Sequence, residues 1–210
     1  QAGGRCRSYH DAALDMVIDN GNHLVLSGNR AVHDYLAHTG ARDALTGPAR
    51  AEFHFVDLAT GTRWTLKPDE GALPLWVTQG SRRVPGTSAR DYAAYLPLLW
   101  AGGDATVGER VPVRGALWER LMRPFLLAAL NTEPEQSSAA LAGAIVRETL
   151  AKGGRHSRPR IAHPTLAAAF VDPALAFLSA HGATVKLGSR LRALTLAGRG
   201  VTALDLPDGV

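Results

Sequence analysis

The 210-residue chain is 46% hydrophobic and 20% charged, enough apolar material for one substantial core or two small ones. Its net charge of +4 rests on 20 Arg and 3 Lys against 19 acids, and no basic run exceeds Arg82-Arg83. Without aromatics interleaved among those arginines, a nucleic-acid groove is not indicated. The single cysteine, Cys6, excludes an internal disulfide or a multi-cysteine metal site and points to a reducing cytoplasm. The longest apolar stretches, FLLAAL at 125–130 and YLPLLWA at 95–101, fall far short of the ~20 residues that cross a bilayer, which leaves peripheral contact with its inner face open.

In chain order, residues 16–26 (MVIDNGNHLVL) place short apolar runs on each side of a polar turn, predicting strand, loop, then strand or helix start. The next segment, GNRAVHDYLAHTGA, sets Val32, Tyr35 and Leu36 at helical spacing and stops on Gly40. AEFHFVDLATGTRWTL has Phe53, Phe55 and Leu58 before an ATGT turn and Trp64 and Leu66 after it, a β-hairpin signature. Residues 68–90, rich in Pro, Gly and Arg, predict irregular surface chain. Residues 89–101, 114–131 and 136–151 predict helices, the middle one with Leu117, Leu121, Phe125 and Ala128 at near four-residue spacing. GGRHSRPRIAHP predicts a loop, and PTLAAAFVDPALAFLSAHGA a helix ending at Gly182. The last stretch, TVKLGSRLRALTLAGRGVTALDLPDG, predicts three short strands joined by turns. β-rich, α-rich and β-rich regions in that order suit an α/β protein with a helical subdomain inserted between pieces of a sheet-containing domain.

Few residues carry a chemical signal. Of the eight histidines no pair has zinc spacing: His33 and His38, five apart, stand about 140° out of line on a helix. No GxSxG is present, so hydrolase chemistry has no support. Gly198, Gly200 and Ala203 fit a loose GxGxxA, but VTALDL alternates like a strand, which predicts a hairpin turn and not a dinucleotide site. Gly3-Gly4-Arg5 is different: adjacent glycines let backbone amides approach an anion, and arginine offers a forked donor to phosphate oxygens. Fifteen residues on, Asp19-Asn20-Gly21-Asn22-His23 is a small-residue loop able to lie against a flat ring.

AGGR followed by an I-D-x-G loop resembles the second flavin-contact region of the amine oxidase and phytoene desaturase superfamily. More narrowly, GGRCRSY, IDNGNHLVLSGN, FHFVDLATGTRWTL, LWERLMRPFLLAALNTEPEQSSA and FVDPALAFLSAHGATVKLGSRLRAL resemble the hydroxysqualene dehydroxylases, the squalene-associated FAD-dependent desaturases of bacterial hopanoid pathways. The resemblance implies a Rossmann-like, two-part FAD domain with an inserted, mainly helical substrate domain: 1–28 and 161–210 in the former, 29–160 mainly in the latter. It implies that Gly3, Gly4 and Arg5 contact the FAD diphosphate and ribityl region, that Asn20, Gly21, Asn22 and His23 lie near the isoalloxazine, and that the Leu191 backbone clasps the adenine. His23 is then the candidate proton donor to the leaving hydroxyl of hydroxysqualene, and ALPLWV, YLPLLW and FLLAAL are candidate lining for an apolar slot. A carotenoid-type desaturase, an amine oxidase on the same scaffold, and a non-catalytic fragment are the alternatives. The family's GxGxxG turn, its acidic ribose ligand and its C-terminal flavin segment are not in this sequence, which predicts an internal piece of a chain about twice as long, with the N- and C-terminal parts of the FAD domain missing.

Overall fold

A computed structural model describes residues 2–21 and 23–206. In chain order the elements are strands β1 (Ser8–Asp11), β2 (Met16–Asp19) and β3 (Leu24–Leu26), helix α1 (Arg30–His38), and strands β4 (Leu45–Thr46), β5 (Phe53–Val56) and β6 (Arg63–Leu66). Helices α2 (Ala89–Ala93), α3 (Val107–Arg110), α4 (Arg123–Leu130) and α5 (Ala139–Glu148) follow, then β7 (Pro159–Ala162), α6 (Asp172–Ala180), β8 (Ala193–Ala197) and β9 (Gly200–Asp205). The content is mixed helix and strand. Two compact units form: Gln1–His23, Asp34–Leu45 and Ala162–Val210 make the first, and Leu24–His33 with Thr46–Ile161 make the second.

The first unit begins with a β1–β2 hairpin in which Ser8 faces Asp19 and Asp11 faces Met16. Asp11 Oδ1 accepts from the amides of Ala13 and Leu14, closing the turn. The helical run 166–180 supplies the unit's core through Leu166 and Ala169, to which α1 adds the fully buried Leu36. Tyr35 Oη donates to the Phe170 carbonyl at 2.6 Å, and the Phe177 ring lies 4.7 Å from that of His38. As the sequence predicts, α1 stops just before Gly40, at φ 78°, and a hairpin turn at Gly198 joins β8 to β9. Of the three strands expected after residue 183, two form. The VKLGSRL stretch stays out of the sheet, because a left-handed Gly188 interrupts its alternation.

In the second unit the predicted hairpin forms as β5–β6, with Phe55 and Trp64 stacked 5.3 Å apart and nearly parallel. GGRHSRPRIAHP, expected as a loop, instead contains β7, which pairs antiparallel with β3. Its proline is tolerated because Pro159 occupies the strand's first position. The helix expected over 89–101 is broken: α2 covers five residues, and Leu96–Trp100 winds as a 3-10 turn around Pro97, which has no amide to donate. Leu66, Val84, Leu98, Val107, Trp118 and Leu126 form the heart of the core. The Gly143 backbone lies so close to this 3-10 turn that a Cβ there would sit 2.1 Å from the Leu98 carbonyl oxygen, which is why α5 carries glycine at the crossing.

Both long helical runs widen before a proline. Trp118–Met122 and Ala167–Val171 are π turns in which the Arg123 amide donates to Trp118 and the Asp172 amide to Ala167, each five residues back. Pro124 and Pro173 follow at once. The extra residue per turn moves the carbonyl that a proline ring would strike in a regular α-helix.

Candidate functional site

Residues 3–6 form a turn closed by the Cys6 amide, which donates to the Gly3 carbonyl at 2.9 Å. Both glycines are left-handed, Gly3 at φ 85° and Gly4 at φ 57°. Their surroundings differ. A Cβ on Gly3 would lie 2.3 Å from the Cys6 carbonyl oxygen and 2.6 Å from Val171 Cγ2, whereas one on Gly4 would meet nothing within 4 Å. Gly3 therefore serves internal packing, and Gly4 keeps an open backbone face. Arg5 beside it is exposed, and among the described residues its guanidinium has no ion-pair partner. An open backbone face with an uncommitted arginine is the donor set that a diphosphate group such as that of FAD requires, so the residues present fit it.

The second expected element is physically joined to the first. Asn20 Nδ2 donates to the Arg5 carbonyl at 3.2 Å, and the Asn20 amide to the Arg7 carbonyl at 2.9 Å. Gly21 follows, and the exposed imidazole of His23 folds back over it: a Cβ at Gly21 would stand 3.1 Å from His23 Nε2. Asn22 lies outside the described residues. Gly3, Gly4, Arg5, Asn20, Gly21 and His23 are thus brought together, in one compact unit. Leu191 belongs to the same unit but sits half exposed in the segment before β8, and among the described residues no hydrogen bond links it to the turn.

Two residues to which sequence reasoning gave no separate role, Asp19 at the head of the loop and Ser8, hold this arrangement in place. Asp19 Oδ1 accepts from Ser8 Oγ at 2.6 Å and from the Leu166 amide at 2.9 Å, and Ser8 Oγ accepts from the Ala167 amide at 2.9 Å. The carboxylate and hydroxyl so cap the first amides of the helical run, where the backbone dipole favours negative charge. The only sequence signal was the I-D-x-G pattern itself, and the partners lie about 150 residues away. Burial, and secondarily the Asp19 charge, push the Cys6 thiol above its ordinary value, which keeps it protonated and a poor nucleophile at neutral pH. Among the described residues no group of three His, Cys, Asp or Glu side chains could hold a metal ion.

The second unit divides the expected slot residues. Leu98 and Leu126 are fully buried core, while Leu73, Leu75 and Trp100 are 62–77% exposed. Leu130, Thr132, Gln136 and Leu141 line an open groove of about 440 Å³. The ALNTEPEQSSA block, which supplies most of that lining, is a junction: Asn131 at φ 54° ends α4, Ser138 Oγ accepts from the Leu141 amide to cap α5, and the Ser137 carbonyl accepts from the Val107 amide. Arg123 pairs with both Glu133 and Glu135. Among the described residues no helix is long and apolar enough to cross a membrane.

Residues 1–209 match the family model described as flavin containing amine oxidoreductase. Similar curated proteins are the hydroxysqualene dehydroxylases of Rhodopseudomonas palustris, 53% identical over 98% of this chain and 49% of the relative, and of Sinorhizobium fredii, 50% identical over 99% and 50%. That of Zymomonas mobilis is 46% identical over 97% of this chain and 49% of its own length. The chain spans about half the length of the curated relatives it matches.

Proposed function

The chain belongs to the flavin-containing amine oxidoreductases, and from that premise we propose that the full-length protein is an FAD-dependent hydroxysqualene dehydroxylase that yields squalene for hopanoid synthesis. The carrying observation is identity of 46–53% with proteins of that name over nearly the whole chain. The turn at Gly3–Cys6, tied to Asn20, supports it.

In this reading residues 1–28 and 161–210 contribute to a Rossmann-like FAD domain, and residues 29–160 mainly to an inserted substrate domain. Gly3, Gly4 and Arg5 would hold the diphosphate and ribityl region, Asn20, Gly21, Asn22 and His23 would face the ring, and the Leu191 backbone would meet the adenine. When bound, reduced FAD supplies the hydride that replaces the substrate hydroxyl. The protein's residues orient the allylic carbon, keep water away and manage one proton. His23 in its protonated form donates to the departing oxygen, so that the hydroxyl leaves as water and the imidazole becomes neutral. A separate reductant, not identified by these residues, restores the flavin. The exposed Leu73, Leu75 and Trp100 suit an enzyme that works in the cytoplasm and touches the membrane's inner face to collect an apolar substrate.

The test is to purify the full-length protein, record its visible spectrum and incubate it with hydroxysqualene and an electron donor, following products by mass. A flavin spectrum and formation of squalene are expected. A polyene product, or flavin bleaching by an amine, would replace this reading with a desaturase or an amine oxidase; absence of any flavin would make the protein a non-catalytic binder.

A further inference from the structure

We infer that Asp19 is a positioning residue for the flavin site, pinning the end of β2 to the first amides of helical run 166–180 and thereby fixing where Asn20 grips the Gly3–Cys6 turn. The inference rests on the reading of that turn as the FAD diphosphate site. Its geometry is a short lever. Asp19 Oδ1 is held by Ser8 Oγ and the Leu166 amide, and the next residue, Asn20, reaches the Arg5 and Arg7 carbonyls. One peptide unit therefore separates the anchored carboxylate from the contact that sets the turn.

The anchor is also rigid. Ser8 and Asp19 face each other across the β1–β2 pair, and each receives a different amide of the same helical run, Ala167 and Leu166. A carboxylate accepting a hydroxyl and a helix-terminal amide makes short, charge-assisted bonds that tolerate little displacement. The same run has a separate cap, Thr165 Oγ1, which accepts from the Ala168 amide at 3.2 Å and, among the described residues, makes no hydrogen bond to Asp19, Asn20, Gly21 or His23. Loss of helix stability and loss of loop position can thus be separated by substitution.

The experiment uses the full-length protein stripped of flavin, with FAD affinity read by fluorescence quenching and apoprotein stability by thermal unfolding. Asp19→Ala should weaken FAD binding about tenfold or more. Asp19→Asn, whose amide oxygen can still accept both bonds, should stay within about threefold of wild type. Thr165→Ala should lower the apoprotein unfolding midpoint and leave FAD affinity unchanged. At saturating FAD, Asp19→Ala should reduce kcat for hydroxysqualene with little change in KM. Equal losses of FAD affinity in Asp19→Ala and Thr165→Ala would reduce Asp19 to a structural cap and overturn the inference. So would an Asp19→Ala affinity within about twofold of wild type. If Asp19→Ala does not fold, Ser8→Ala carries the test, with weaker FAD binding expected and unchanged binding overturning it. A wild-type protein that binds no FAD would remove the proposed function and this inference together, whereas FAD binding with an indifferent Asp19 would remove the inference alone.

Discussion

Asn20 Nδ2 donates to the Arg5 carbonyl at 3.2 Å, so two segments fifteen residues apart form one surface. Asn20→Ala removes a single exposed neutral hydrogen bond, worth about 0.5–1.5 kcal/mol, and FAD affinity should fall roughly three- to tenfold. Arg5→Ala removes a charged donor and should cost more, about ten- to a hundredfold, with a loss that shrinks as salt is added. Fluorescence titration at two ionic strengths checks both. Salt-independent binding by the wild-type turn would count against an anion in it.

Gly3 and Gly4 predict opposite phenotypes. Gly3→Ala drives a methyl group into the Cys6 carbonyl and Val171 and should destabilise the protein by roughly 1–3 kcal/mol, visible in chemical unfolding with or without FAD. Gly4→Ala meets open space and carries only the left-handed backbone penalty, about 1–2 kcal/mol. If Gly4 belongs to the proposed diphosphate site, its main effect should be on FAD affinity, because the methyl group would occupy the open face there. Undiminished FAD binding in Gly4→Ala would show that the open face is unused.

For His23, substitution by alanine or glutamine should lower kcat by about 10²–10⁴ while the flavin stays bound, the range expected for loss of a general acid. Gly21→Ala should act in the same direction more weakly, since the imidazole lies over the position its methyl group would take. Unchanged turnover in His23→Ala with full flavin content would end the proton-donor role.

Acid stability of the second unit should depend on two short helices. The Ser88 amide and then its hydroxyl hold Asp91 below the ordinary carboxylate value, and the Thr106 amide and then its hydroxyl do the same for Glu109. A depressed folded-state value means stabilisation that is present above the unfolded value, near pH 4, and is lost as pH falls through the lower folded value. Asp91→Asn with Glu109→Gln should therefore lower Tm at pH 6, and the gap from wild type should narrow progressively as pH falls below the ordinary carboxylate range. A gap that stays constant across that range would refute the assignment.

How much of this was legible in the chain varies with sequence distance. The β5–β6 hairpin, α1 with its Gly40 stop and the Gly198 turn depend on neighbours a few residues apart, and their patterns sufficed. β7 was missed because a strand of four residues beginning with proline becomes visible only when β3 is there to pair with it. The break between α2 and the Leu96–Trp100 turn was signalled by Pro97, but apolar periodicity alone predicted one helix.

The candidate site divides the same way. Composition and local spacing determined that Gly3-Gly4-Arg5 could meet an anion and that a small-residue loop lay downstream, because glycine's freedom and arginine's charge are properties of the residues themselves. Tertiary structure decided which glycine packs and which stays open, since the deciding atoms belong to Cys6 and to Val171, far along the chain. It alone assigned Asp19 and Ser8 to the amides of Leu166 and Ala167, because a carboxylate's hydrogen-bond partner depends on which unsatisfied donors the fold delivers to it.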